Sequence, residues 1–435
     1  MTTPAAVAGQ SPALQHYRQL HEALPAGDPA APLRRAALTR FLAAGFPATR
    51  EEGWKYTSLR RLESRRFEQS TRDEATDGSV AGGALAPLRV VFVNGWLHAG
   101  LPGALPPGLQ LQRLGAEEPL AGTQIDAAAA RGGAARFAAL NAAFADDGLR
   151  IDVAAEARIP TPLHVAFLNS GGRSVLCTPR LLLRLAPGAR LSLVVEHAED
   201  EGAERFIASV LALELGAGAQ LELYRLQRLG ERSQLIETLA ASVDRDATLR
   251  LCDGSFGASL ARLDVDVALQ APGAAAEMHG VFLADVQRHL DLQVRVDHRA
   301  PHTRSEQVFR GVAAGRGRGV LLGKSVVHEH AQKTAARQSL KCLLLSAGAE
   351  IDMKPDLEIY ADDVQCSHGA TVGQLDPTAL FYLRSRGLSE QAARSALTRA
   401  FAGEVLARMR ELPDFERAVH ELVDRRLDAL LETPR

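Results

Sequence analysis

The chain has 435 residues, 46% of them hydrophobic, and 50 basic side chains against 52 acidic ones for a net charge of −2. That is enough chain for two or three domains or one long repeat array, with ample apolar side chain for a large core. The near balance of charge argues against a general nucleic-acid binder, and the Arg-rich stretches RRLESRR and RGRG are short and sit among acids.

The first elements read as helices. Ser11 and Pro12 form an N-cap and first-turn pair, and Leu14, Tyr17, Leu20 and Leu24 follow at helical spacing. A Pro/Gly/Ala loop leads to a second helix expected over residues 32–44, which ends near Gly45 and Pro47. LRVVFVNGWL (88–97) reads as a strand ending in an Asn-Gly turn, and AARFAALNAAFADDG returns to helix.

From about residue 149 the apolar period changes to two. LLLRL (181–185), LSLVV (191–195), LALEL (211–215), LELYRL (221–226), TLRL (248–251), LDVDVAL (263–269) and LQVRV (292–296) alternate as strands do. The segments before them resemble one another: APGARLSL, GAGAQLEL, DRDATLRL, APGAAAEM and SAGAEIDM each place a small or turn-forming stretch ahead of an alternating run. Leu191, Leu221 and Leu249 are equivalent positions, about 30 residues apart, a period that points to stacked repeats. A parallel β-helix fits this better than a β-sandwich, whose turns recur every 8–12 residues or so.

The last 60 or so residues return to helix. Ser389 caps a helix carrying Ala393, Leu397, Phe401, Val405 and Met409 at i+4 steps. The next carries Phe415, Val419, Leu422, Val423, Leu427 and Leu430. Such a pair can cap the open edge of a β-helix or dock a partner.

Four cysteines, Cys177, Cys252, Cys342 and Cys366, are widely spaced with no C-x-x-C, unlike a secreted disulfide framework or a structural zinc site. No secretory leader pattern opens the chain, and no run of about 18 apolar residues suits a membrane span. A soluble, reducing, cytoplasmic setting is expected.

One short stretch concentrates possible chemistry. DDVQCSHGATVG (362–373) sets Cys366 and His368 two residues apart, on one face if the segment is a strand. The spacing admits three readings: a buried thiol beside a hydrogen-bonded histidine, two ligands of an incomplete metal site, or a Cys/His nucleophile pair. The third is disfavoured, because side-by-side neighbours on a strand do not approach at hydrogen-bond distance. Zinc or iron usually takes three or four ligands, so a metal site needs more from elsewhere. His328 and His330 in VVHEHAQ, and His298 and His302 in DHRAPHT, read as solvated or turn residues. Asp362 and Asp363 read as a turn rather than a carboxylate dyad. Phosphate loops, a dinucleotide fingerprint and a G-x-S-x-G elbow are absent.

The block LLLSAGAEIDMKPDLEIYADDVQCSHGATVGQLDPTALFYLRSRGLS (343–389) resembles the SufD family of the SUF iron–sulfur cluster assembly machinery. EGWKYTSL (52–59), VFRGV (308–312) and GKSVVHEHAQKTAARQ (323–338) support the resemblance. It implies a mainly β fold: a right-handed parallel β-helix core (148–376) between a mostly helical N-terminal region (1–147) and a C-terminal helical region (377–435). It further implies a non-catalytic scaffold that pairs with its paralogue SufB through the β-helix and docks the ATPase SufC on its C-terminal helices. SufB-like chains carry Glu at the position of His368 and an essential Cys at that of Ala349, so this chain follows the SufD pattern. By the same resemblance His368, with Cys366 nearby, shares an iron or nascent-cluster site with SufB. Iron or cluster would be held transiently at that interface and none tightly by the isolated chain, for which a homodimer is the alternative pairing. A purely structural subunit, with all cluster chemistry on SufB, is the alternative. A β-helix enzyme acting on polysaccharide would need an acidic groove over neighbouring rungs, which the sequence does not offer.

Overall fold

A computed structural model describes residues 11–24, 28, 30–72, 83–115, 135–199, 202–407 and 412–432. Helix α1 (Pro12–Glu22) is capped by the Ser11 hydroxyl, which accepts from the Leu14 amide. Helix α2 (Ala31–Ala44) begins one residue earlier than expected and ends at Gly45. A short α3 (Arg60–Glu63) and the buried α4 (Ala135–Phe144) complete the N-terminal helices. Their aromatic side chains, among them Tyr17, Phe41, Trp54 and Phe137, close over Phe206, Ile236 and Leu260 on the outer face of a sheet.

The centre is a parallel β-helix. Successive strands from Arg190–Glu199 to Gln365–Gly373 alternate between two sheets, and each pairs in parallel with the strand two places on. One sheet ends in Glu350–Ile359 and has eleven strands; the other ends in Gln365–Gly373 and has ten. Alternation within each strand sends one set of side chains into a shared interior of Leu, Val and Ile and the other set outward. At the far end the sheets are extended by antiparallel strands, Leu109–Arg113 on Leu149–Val153 and Trp96–His98 on Leu88–Val93. The Asn94-Gly95 turn of that hairpin has both residues at positive φ, as the sequence predicts.

The repeat period has a direct backbone cause. Gly188, Gly218, Asp246, Gly273, His302 and Lys333 occupy the same corner in successive rungs, all with φ between 54° and 80°. Their amides bond to the next corner, as in Gly218 N to Arg245 O at 2.7 Å and His302 N to Gln332 O at 2.9 Å. Leu191, Leu221 and Leu249 are register partners, as the 30- and 28-residue echo requires. SAGAEIDM is the exception: it enters the opposite sheet, at Glu350–Ile359. Its likeness to the other turns reflects shared corner chemistry rather than an equivalent place in the rung.

Three helices follow the last strand: α5 (Pro377–Ser385), α6 (Glu390–Leu406) and α7 (Pro413–Glu432). Helix α7 lays Phe415, Val419, Val423 and Leu427 on the outer face of the second sheet, where Phe415 meets Tyr224 at 5.2 Å. The buried residues of α6 are Ala393, Ser395, Thr398, Ala402, Val405 and Leu406, so of the expected stripe Ala393 and Val405 are buried while Leu397 and Phe401 are half-buried. Met409 and the Leu430 side chain lie outside the described residues.

Candidate functional site at the open end of the β-helix

Strand Gln365–Gly373 is the last rung of its sheet, paired on one side only, with Ala335–Leu344. Cys366 stands in register with Ala336, and His368 with Gln338. Ala336 and Gln338 are both buried residues of the interior face. Cys366 and His368 therefore project from the same, inward face, at the mouth of the solenoid, where no further rung covers them.

Their environments differ. Cys366 is half-buried and packs against the corner cluster of Val327, Ala331 and Ala361. Burial pushes its thiol pKa up, and the Ala336 backbone offsets this only in part. His368 is exposed, with no hydrogen bond or ion pair to the described residues. Around them the apolar interior runs out into solvent: Ile359 is 42% exposed and Val372 41%. No group of three or more His, Cys, Asp or Glu side chains among the described residues is placed to hold a metal. The motif thus brings together two side chains of the kinds that bind iron or cluster sulfide.

A family model described as the SUF system FeS cluster assembly SufBD core domain matches residues 167–401, and one for the SufBD N-terminal region matches residues 13–165. The chain belongs to the SufBD family. An iron–sulfur cluster assembly SufBD family protein of Synechocystis is 30% identical over 384 residues, 83% of either chain. The iron–sulfur cluster assembly protein SufD of Escherichia coli is 28% identical over 411 residues, 94% of this chain and 95% of that one. Protein ABCI7 of Arabidopsis chloroplasts is 28% identical over 288 residues, 64% of this chain. This SufBD protein is accordingly a SufD homologue of the iron–sulfur cluster assembly system. No helix among its described residues is long and apolar enough to cross a membrane.

The other histidines singled out in the sequence lie apart from this pair. His298 is buried at a corner, with Nδ1 2.8 Å from Thr303 Oγ1 and Nε2 2.8 Å from Ser305 Oγ. Burial, the dominant effect, lowers its pKa to about 4. His302 holds the positive-φ corner position, and His328 and His330 are exposed in the next turn. Asp362 and Asp363 lie in a bend, where Asp363 pairs with Lys333. The EGWKYTSL motif is a clamp. Trp54 lies under the Arg262 guanidinium at 3.8 Å, and the Thr57 hydroxyl donates to Asp291 at 2.6 Å. Both hold the N-terminal region to the outer face of the first sheet.

One buried group escapes sequence inspection. Inside the β-helix, Arg225 donates to Glu237 at 2.7 Å and to Asp253 at 2.6 Å, and His197 Nε2 stands 2.5 Å from Glu237. All four are at most 1% exposed. Arg225 and Asp253 are register partners, so the 28-residue echo that links Leu221 to Leu249 also predicts their contact.

Proposed function

We propose that this SufBD chain is the SufD subunit of a SufB–SufC–SufD complex, pairing with SufB through the open end of its β-helix. In this reading His368, with Cys366 beside it, supplies one half of a site that receives iron or a nascent cluster as cargo, and SufB supplies the other half. The observation that carries it is a pair of iron-competent side chains on the inward face of an uncovered rung, with no third such ligand grouped with them among the described residues. A half-site makes chemical sense only where a second surface completes it. The exposed imidazole is the stronger candidate. The Cys366 thiol, held up by burial, is mainly protonated at neutral pH and must lose a proton to bind. Protons compete for both groups, so cargo binding weakens in acid.

Residues 377–435 would form the SufC-docking part, with ATP hydrolysis in SufC and no catalysis here. Helix α5 fits that role: it buries none of its residues, and Phe381 and Tyr382 are 74% and 56% exposed.

Anaerobic co-purification of the three subunits tests the reading. His368→Ala is expected to lower iron and acid-labile sulfide several-fold while the complex still assembles. Wild-type content in that variant would favour a structural subunit with all cluster chemistry on SufB.

A further inference from the structure

We infer that Gln338 is a positioning residue for His368, accepting one ring N–H so that the other ring nitrogen is presented at the mouth of the β-helix. The inference rests on the assignment of His368 as a ligand and adds the group that aims it.

Gln338 lies one strand below His368, in register and on the same inward face, so the two side chains stack about 4.8 Å apart along the sheet. It is 2% exposed. Its amide nitrogen donates to Ser325 Oγ at 3.0 Å and faces the Asp356 carbonyl at 3.5 Å. A carbonyl only accepts, so the NH2 side of the amide must face the opposite sheet. That leaves Oε1 on the other side, buried and without a hydrogen-bond partner. Gln307, one rung further in, repeats the arrangement: its amide nitrogen donates to the same Ser325 hydroxyl at 3.3 Å, and its Oε1 is likewise unpartnered. Beside it Gly323 leaves room, since a Cβ there would come within 2.8 Å of the Gln307 oxygen. The interior is lined mainly by apolar side chains, with a separate polar set of His197, Arg225, Glu237 and Asp253 several rungs further back.

A buried acceptor without a donor is costly, and the imidazole on the next rung has a donor to give. A histidine that ligates a metal commonly donates its second ring N–H to such an acceptor, which fixes tautomer and ring orientation. Gln338 is placed for that role, while Ser325 and the Asp356 carbonyl hold the amide from behind.

Ring-nitrogen NMR of the full, metal-free chain with 15N-labelled histidine, at a fixed pH where imidazole is neutral, reads this without cargo. In wild type the His368 signals are expected at the separated positions of one fixed tautomer. Gln338→Leu is expected to return the averaged signals of two exchanging tautomers, and Gln338→Glu, which keeps an acceptor, to retain the fixed pattern. Gln338→Met serves as the same deletion if the leucine variant does not fold. The same His368 pattern in wild type and in a folded Leu or Met variant overturns the inference. Loss of the ligand assignment would register elsewhere, as full iron content in His368→Ala, and would leave the ring pattern unchanged.

Discussion

At the residue scale the β-helix interior holds two kinds of polar group with opposite consequences. The His197–Glu237–Arg225–Asp253 set is sealed from solvent and ion-paired, although His197 Nδ1 has no hydrogen-bond partner. Burial alone would raise the Glu237 carboxyl, but the Arg225 guanidinium and then His197 outweigh it and hold the carboxyl down at about 2. Burial pushes the Asp253 carboxyl up in spite of Arg225. Removing the shared cation strands both acids in the interior, so Arg225→Met is expected to cost about 3–5 kcal/mol in urea unfolding. A loss below about 1 kcal/mol would show that the network is not stabilising in this sense. The pH dependence follows from the sign of the shift. Glu237 is depressed in the folded state from an ordinary value of 4.5, so its contribution is complete above that pH and is lost as pH falls toward 2. The 28-residue echo pairs Arg225 with Asp253, but nothing in the linear sequence joins Glu237 and His197 to them. Arg225 sits in LELYRL as an ordinary polar position, and only the register shows that it points inward. Cys366 and His368 were legible because both types are rare, their spacing is strand-like and the surrounding block resembles a family. Gln338, 30 residues earlier in the same column, was not.

At the scale of elements, period and corner chemistry were read correctly, and face assignment was read less well. The strands from LLLRL onward fall where alternation puts them, because an inward-outward pattern cannot slip by one residue without turning the core out. The C-terminal helices were ambiguous between intrachain cap and docking surface, and the elements divide that work. Helices α6 and α7 spend their apolar faces inside the chain, on Tyr224, Val281 and Val308 among others. Helix α5 spends none. Its aromatics are largely exposed, Tyr382 meeting the Arg386 guanidinium at 5.1 Å, so Phe381→Glu with Tyr382→Glu is expected to leave unfolding stability within about 0.5 kcal/mol of wild type. In pull-downs the same pair of changes is expected to abolish SufC capture and spare SufB pairing. Undiminished capture would move the docking surface to another element.

At the scale of the whole molecule the β-helix is a one-dimensional stack whose two ends are treated differently. Antiparallel strands extend one end. The other stops at Glu350–Ile359 and Gln365–Gly373, two edge strands with half-exposed apolar side chains and the Cys366–His368 pair between the sheets. Open edges of this kind invite pairing with another chain. In the proposed reading, Cys366 and His368 as an incomplete ligand set give that edge a chemical reason to be shared. The EGWKYTSL clamp reinforces the same end: Glu52 reaches Lys354 on the terminal strand at 2.6 Å and ties the N-terminal region to the rung that would meet a partner.

The most direct test observes the His368–cargo contact itself. The complex is assembled anaerobically with 15N-histidine in this chain alone, charged with iron and sulfide, and examined by pulsed electron paramagnetic resonance. A 15N coupling to the paramagnetic iron or cluster is expected, and it should vanish in His368→Ala. A charged complex with no such coupling, or a coupling unchanged in His368→Ala, would contradict a site shared through His368.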